Sequence, residues 1–195
     1  QTQIIAHRGY WNTQPKTSEN SIKALENAQR LKIYGSEFDV RMTKDGILVI
    51  NHDEHHGKMT IEKTDFRDLR KLKLSNGEKL PTLKDYLRQG KKDPFLMMII
   101  EIKPVKSQEK ENEIVAKTIR MVQGMKLDSQ SEFISFSLNV CKEIKKVDDY
   151  IKNNELYSKY KYFHFSKGDS HIANFNYGES DDFDYFSYPA LSPSS

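Results

Sequence analysis

The run Leu96-Met97-Met98-Ile99-Ile100-Glu101-Ile102 decides the fold class of this 195-residue chain. The run is almost continuously apolar, which is typical of a parallel strand buried on both faces rather than of a strand with one face in water. On either side of it, short apolar segments alternate with amphipathic segments of helical periodicity. Strands that alternate with helices predict an α/β fold with a parallel sheet and right-handed crossovers.

The other elements follow from the same patterns. We expect strands at 3–7, 36–40, 47–50, 132–137 and 160–165. We expect helices at 19–31, 81–87 and 109–125, a short one near 65–72, and another carrying Val140, Ile144, Val147 and Ile151. Ser18 is the expected N-cap of the first helix, and Pro81 is expected to open the helix that it begins. The Asp45-Gly46 pair predicts a tight turn before the strand at 47–50.

Length and charge narrow the classes of protein. A chain of this size predicts a single domain over residues 1–195. Its 31 Lys and Arg against 28 Asp and Glu give a net charge of +3, which argues against a nucleic-acid partner. The sequence contains no apolar run near the ~20 residues that a transmembrane segment needs. One cysteine excludes an internal disulfide framework.

The two ends of the chain bear on the domain organisation and the cellular location. The last 28 residues, 168–195, contain five Asp or Glu and no Lys or Arg, and they are rich in aromatic residues, so we treat them as an atypical tail. The chain begins with Gln1 rather than Met. A removed signal peptide would give this start, so we expect a periplasmic or secreted protein; the alternative is a cytoplasmic protein with a trimmed start.

Charged side chains concentrate at the ends of the predicted strands. Glu37 and Asp39 are two residues apart, so they share one face of their strand, and Glu101 and Lys103 repeat that spacing. The pairs at 7–8 and 52–53, His-Arg and His-Asp, follow two more strands. In a (β/α) barrel all the C-terminal strand ends open onto one mouth. This placement favours a TIM-type barrel over a doubly wound open sheet, since no Gly-rich phosphate loop follows the first strand.

These residue types predict metal binding, anion binding and acid–base chemistry. Carboxylates such as Glu37, Asp39 and Glu101 are hard oxygen ligands that suit Mg²⁺ or Ca²⁺ better than zinc. Arg8 and Lys103 are suited to an anion such as phosphate. Two histidines, at positions 7 and 52, are suited to act as base and acid. Trp11 is a candidate for the wall of the mouth, whereas His55 and His56 are expected to be solvated.

Several motifs, taken in order, resemble the glycerophosphodiester phosphodiesterase family. They are His7-Arg8-Gly9, Ser18-Glu19-Asn20-Ser21, Glu37-x-Asp39, Thr43-Lys44-Asp45-Gly46, His52-Asp53, Leu80-Pro81-Thr82-Leu83, Glu101-Ile102-Lys103 and Ser135-Phe136-Ser137. The resemblance implies a TIM-type barrel that hydrolyses small glycerophosphodiesters to glycerol 3-phosphate and an alcohol, with a divalent cation, Mg²⁺ or Ca²⁺.

The resemblance also implies a role for each matching residue. Glu37, Asp39 and Glu101 would bind the metal, and His7 and His52 would be the acid–base pair. Arg8 and Lys103 would contact phosphate, with Asn20 and Asp53 as supporting residues. The family's motifs for the last two strands have no counterpart here, which predicts a barrel incomplete at its C-terminal end. The alternative is a catalytically impaired, truncated family member that acts as a binding or self-associating module.

Overall fold

A computed structural model of the chain describes residues 3–13, 15–153 and 161–164. The described strands are β1 (Ile5–Ala6), β2 (Gly35–Met42), β3 (Leu48–Ile50), β4 (His55–His56), β5 (Met59–Thr60), β6 (Met97–Ile102), β7 (Ser131–Ser135) and β8 (Lys161–His164). The described helices are α1 (Ile22–Arg30), α2 (Phe66–Leu69), α3 (Leu83–Gly90), α4 (Gln108–Gly124) and α5 (Leu138–Asn153). The acidic, aromatic tail at 168–195 lies outside the described residues.

A parallel sheet forms the centre of the molecule. Its strands lie in the order β1-β2-β6-β7-β8, and each neighbouring pair is parallel. Helices α3, α4 and α5 separate successive strands of the sheet in the chain. The predicted alternation of parallel strands and helices is therefore confirmed. Within the described residues β1 and β8 are the outer strands of this parallel array.

Strand β3 departs from the prediction, because it runs antiparallel to β2. Val40 pairs with Ile50 and Met42 pairs with Leu48, so β2 and β3 form a hairpin. Gly46 adopts φ +77° in the connecting turn, a conformation that favours glycine. The Asp45-Gly46 turn was expected from the sequence, but the strand after it reverses direction instead of adding a parallel strand.

The core lies between the sheet and its helices. The even-numbered residues of the two central strands, Phe38, Val40, Met98 and Ile100, are buried against α1, α3, α4 and α5 in one hydrophobic cluster. Because side chains alternate along a strand, the odd-numbered residues point to the opposite face. Glu37, Asp39 and Glu101 thus lie on the sheet face away from the helices.

Two helix starts differ from the sequence prediction. Ser21, not Ser18, caps α1, and its hydroxyl accepts a hydrogen bond from the Ala24 N–H at 3.0 Å. Helix α3 begins after Thr82, whose hydroxyl accepts from the Asp85 N–H at 3.1 Å. Pro81 instead lies beside β3, where its carbonyl accepts from the Ile50 N–H. Among the described helices, none combines the length and the apolar character that a membrane span requires.

Candidate active site

Three carboxylates from two adjacent strands form the centre of the site. Glu37 and Asp39 lie on β2, and Glu101 on β6 is the register partner of Asp39. One oxygen from each of the three lies within 4.8 Å of the others. Their residues are 5%, 0% and 5% exposed, so the cluster is almost completely removed from water. The predicted ligand set therefore comes together as a compact, buried group.

The electrostatics of this cluster are unfavourable for three free carboxylates. Burial raises the pKa of Glu37 well above its ordinary value, and the negative charges of Asp39 and Glu101 raise it further. Burial and Asp39 also raise the pKa of Glu101. Lys103 opposes this repulsion, since its ammonium lies 2.7 Å from Glu101 Oε1 and 3.3 Å from Asp39 Oδ1. The positive charge of Lys103 therefore lies against the carboxylates rather than free in the opening of the site.

The cluster has the donor set for a divalent cation. Glu37 Oε1 and Asp39 Oδ1 are buried and accept no hydrogen bond from any described residue, although Asp39 Oδ1 is ion-paired with Lys103 at 3.3 Å. Buried polar atoms are rarely left without a partner, so such atoms need an explanation. Carboxylate oxygens with free lone pairs in a shared pocket fit the ligand preference of Mg²⁺ or Ca²⁺.

The turn after β1 brings His7 and Arg8 to the cluster. The Arg8 N–H donates to Glu37 Oε2 at 2.9 Å, and His7 Nε2 lies 3.8 Å from the same oxygen. Partial loss of water and the positive charge of Arg8 lower the pKa of His7, while Asp39 raises it less strongly. A lowered pKa keeps the His7 ring neutral near pH 7, although its side chain is 69% exposed.

The Arg8 side chain interacts with two carboxylates. Its Nη1 donates to Glu19 at 2.9 Å, and its Nε lies 3.8 Å from Asp39 Oδ2. Burial alone would lower the pKa of Arg8, but the hydrogen bond and charge of Glu19 outweigh this effect and raise it. The guanidinium therefore remains cationic beside the cluster.

Asn20 orients Asp39 from the loop before α1. Its Nδ2 donates to Asp39 Oδ2 at 2.8 Å, and its Oδ1 accepts from the Asp39 N–H at 3.3 Å. This pair of bonds fixes the Asp39 carboxylate with Oδ1 turned toward the cluster. Asn20 itself adopts φ +56° and donates its backbone N–H to the Arg8 carbonyl at 2.9 Å. The predicted supporting residue is thus in direct contact with a predicted ligand.

His52 reaches the site by a route that differs from the prediction. Because β3 is antiparallel to β2, its C-terminal end returns toward the level of Asp39, whose carbonyl accepts from the Asn51 N–H at 3.0 Å. His52 Nδ1 lies 2.8 Å from Asp53 Oδ1. This hydrogen bond lowers the pKa of Asp53. The charge of His52 also contributes to the lowered pKa of His7.

Two further residues were missed in the sequence. Arg41 donates from Nε and Nη2 to the His52 carbonyl, at 2.9 and 2.7 Å, and so holds the turn that carries His52. Glu19 holds Arg8, as described above. A signal for Arg41 exists in the sequence, because Glu37, Asp39 and Arg41 have the i, i+2, i+4 spacing of one strand face.

Comparison with known proteins identifies the family that this chain matches. The model of the glycerophosphoryl diester phosphodiesterase family matches residues 7–173. A curated relative from Caldanaerobacter subterraneus, named glycerophosphodiester phosphodiesterase, is 30% identical over 169 residues, covering 80% of this chain and 67% of its own length. The chain spans between 30% and 67% of the length of the first curated relatives that it matches.

Solved structures agree with this match. A glycerophosphodiester phosphodiesterase from Parabacteroides distasonis superimposes with a TM-score of 0.73 at 39% identity, over 83% of this chain and 64% of that one. An Oleispira antarctica phosphodiesterase, solved with its product sn-glycerol-3-phosphate, has a TM-score of 0.63 at 20% identity, over 86% and 85% of the two chains. The predicted TIM-type (β/α) barrel class is thereby confirmed.

Proposed function

Because the chain belongs to the glycerophosphoryl diester phosphodiesterase family, we propose that it hydrolyses glycerophosphodiesters to glycerol 3-phosphate and an alcohol. The proposal includes a divalent cation held by Glu37, Asp39 and Glu101, and His7 and His52 as the acid–base pair. The product found in the Oleispira antarctica phosphodiesterase, sn-glycerol-3-phosphate, is consistent with this reaction.

One observation carries the metal requirement. Glu37 Oε1 and Asp39 Oδ1 are buried without a hydrogen-bond partner among the described residues, and Glu101 lies within reach of both. Three buried carboxylates repel one another, and a divalent cation held by Glu37, Asp39 and Glu101 would relieve that repulsion more fully than the Lys103 ammonium, which lies 3.3 Å from Asp39 Oδ1. A bound cation supplies Lewis-acid stabilisation of charge on the phosphoryl oxygens.

The cationic side chains around the cluster bind and orient the phosphate in this proposal. Arg8 stays positive through Glu19, and its Nε, buried and without a hydrogen-bond partner among the described residues, faces Asp39 at 3.8 Å. Lys103 lies at the carboxylate cluster and 5.9 Å from the centre of the Phe136 ring. With Glu101 and Asp39 holding a cation, their attraction for Lys103 would be weaker, and the Lys103 ammonium would be able to contact a phosphate oxygen.

The two histidines divide the proton transfers. His7 has a lowered pKa, so its neutral ring is suited to accept the proton of the attacking oxygen, from water or from the neighbouring glycerol hydroxyl. His52 is bonded through Nδ1 to Asp53, which leaves Nε2 as the nitrogen that faces a substrate. A protonated His52 paired with Asp53 is suited to donate its proton to the departing alcohol oxygen.

Choline release from glycerophosphocholine tests the proposal. Addition of Mg²⁺ or Ca²⁺ to the whole chain should give steady release, and EDTA should abolish it. His52→Ala should lower the rate by at least ~100-fold, within the range for loss of a general acid. His55→Ala is the matched control, because His55 is exposed on β4 and should retain the wild-type rate. Full activity of His52→Ala, or activity unaffected by EDTA, would contradict the mechanism.

A further inference from the structure

A polar recess of about 340 Å³ adjoins the carboxylate cluster without including it. Its lining includes Asn20 and Asn51, both of which bond to Asp39: Asn20 through its side chain and Asn51 through its backbone N–H. Glu19, which holds Arg8, also lines it. The recess therefore adjoins the proposed metal and phosphate site through residues that contact Asp39 and Arg8.

Two loops that build the recess are joined by hydrogen bonds. Ser18 Oγ lies 2.6 Å from Ser75 Oγ and accepts from the Asn76 N–H at 2.9 Å. Asn76 Nδ2 donates to Thr17 Oγ1 at 2.8 Å. Thr17 and Ser18 are 4% and 6% exposed, so these contacts are largely shielded from water. The loop that carries Trp11 and Lys16 is thus held against the loop that carries Lys73.

The charges in the recess are unbalanced. Lys16 and Lys73 both line it, and within the part of the chain that the structure describes neither has a carboxylate oxygen within 4.0 Å. Glu19 is the acidic residue of the lining, and it is already paired with Arg8 at 2.9 Å. Two unpaired ammonium groups on loops that are bonded together favour an anionic ligand. Trp11 supplies a flat ring surface in the same recess. His56 also lines it, but contrary to the expectation of a solvated side chain it is only 7% exposed, with Nε2 3.4 Å from the Leu72 carbonyl oxygen.

We propose that this recess is the subsite for the leaving alcohol and that it selects a polyol carrying a second phosphate. The inference rests on the proposed function and deepens it. In the reaction, a P–O bond forms to the attacking oxygen and the P–O bond to the polyol breaks, with the proton passing to the polyol oxygen. The second phosphate remains intact, bound by Lys16 and Lys73, while the carbon ring or chain packs on Trp11.

A matched pair of substrates isolates the second phosphate. Glycerophosphoinositol and glycerophosphoinositol 4-phosphate differ only in that group. For the whole chain with Mg²⁺, kcat/KM should be about five- to tenfold higher for the 4-phosphate, since two partly exposed charge pairs each contribute modestly. Raising NaCl to ~0.5 M should reduce this ratio strongly, because salt screens exposed charges.

Variants assign the preference to the recess. In Lys16→Gln/Lys73→Gln the ratio of the two kcat/KM values should fall to about one. Lys84→Gln/Lys142→Gln is the matched control, because these exposed lysines lie on α3 and α5, outside the recess, and should leave the ratio unchanged. Equal kcat/KM values for the two substrates in the wild-type chain, or an unchanged ratio in Lys16→Gln/Lys73→Gln, would overturn the proposal.

A binding measurement separates failure of the subsite from failure of the proposed function. If neither diester is hydrolysed, the proposed function has failed, and titration calorimetry with inositol 4-phosphate and with inositol still tests the recess. The wild-type chain should bind inositol 4-phosphate at least fivefold more tightly than inositol, and Lys16→Gln/Lys73→Gln should lose this difference. Equal binding of the two compounds by the wild-type chain would refute the subsite.

Discussion

Replacing Arg41 with methionine should lower kcat about 100-fold with little change in KM. Arg41 touches neither the carboxylate cluster nor the histidine rings through a described hydrogen bond; its two donors bond to the His52 carbonyl. Its loss releases the turn that carries His52, the proposed general acid, and a displacement of about 1 Å in a catalytic group costs on the order of 100-fold in rate. Substrate binding should change little, because Arg8 and Lys103, the residues proposed to contact phosphate, belong to other segments.

The structure also gives the expected effect on stability. The two Arg41 donors lie 2.9 and 2.7 Å from one carbonyl oxygen. A hydrogen bond to a charged group contributes about 1.5–3 kcal/mol, and since both donors share one acceptor we count a single such contribution. The free energy of unfolding should therefore fall by about 2 kcal/mol in Arg41→Met. Arg41→Lys keeps the positive charge but offers a single donor nitrogen in place of two, so it should recover part of both losses.

The assay measures kcat at saturating Mg²⁺, because removing a positive charge near the acidic cluster also changes the affinity for the cation. Urea denaturation of the same samples gives the free energy of unfolding. Arg88→Met is the control: Arg88 lies on α3 with a side chain 61% exposed and bonds to Asp85. If kcat of Arg41→Met stays within twofold of the wild-type value while the protein is folded, Arg41 does not position His52 and the reasoning is refuted.

Three other perturbations probe the cluster and its neighbouring turn. The pKa of Glu37 is raised above 4.5 in the folded state, so the free energy of unfolding of the metal-free protein should fall as pH rises through and above that value. Thermal melts in EDTA at pH 5 and at pH 8 should therefore differ less for Glu37→Gln than for the wild type. Lys103→Met should lower metal-free stability by about 3 kcal/mol in urea titrations, because it leaves buried carboxylates without their cation, and no change in EDTA would contradict this account. Gly9→Ala should lower the free energy of unfolding more than Gly77→Ala in the same titrations, although both glycines adopt positive φ. A Cβ at Gly9 would lie 2.7 Å from Ala24 Cβ. A Cβ at Gly77 would meet nothing within 4 Å, so Gly77→Ala should cost only about 1 kcal/mol.

The parallel sheet and the carboxylate cluster were predictable because each depends on a short period. Alternation along β2 and β6 places Phe38 and Ile100 in the core, and it places Glu37, Asp39 and Glu101 on the other face whatever the rest of the chain does. The expected strands at 36–40 and 132–137 are present with bounds shifted by one or two residues, as strand ends commonly are. Local periodicity carries this information without any knowledge of tertiary contacts.

Other features could not be predicted, because they depend on how the chain returns to itself. The Asp45-Gly46 turn was recognised, yet the direction of β3 is set by its pairing with β2, in which Met42 faces Leu48. The turn that carries His52 lies beside Asp39 because of that reversal and not as the end of a parallel strand. Arg41 was missed for a related reason: its acceptor is the backbone carbonyl of His52, a group that every residue carries and that no sequence pattern marks.

Two residues beside the carboxylate cluster have a strained backbone that helps to orient the proposed metal ligands. Arg8 and Asn20 adopt φ +57° and +56°, a conformation that costs a non-glycine residue about 1–2 kcal/mol. Such conformations persist only where surrounding contacts enforce them. The Arg8 N–H is bonded to Glu37 and the Arg8 carbonyl accepts from the Asn20 N–H, while the Asn20 side chain is bonded to Asp39. The contacts that hold the strained backbone are therefore the same contacts that orient two of the three proposed ligands, so loss of either strained conformation would misalign the metal site even with every carboxylate still present.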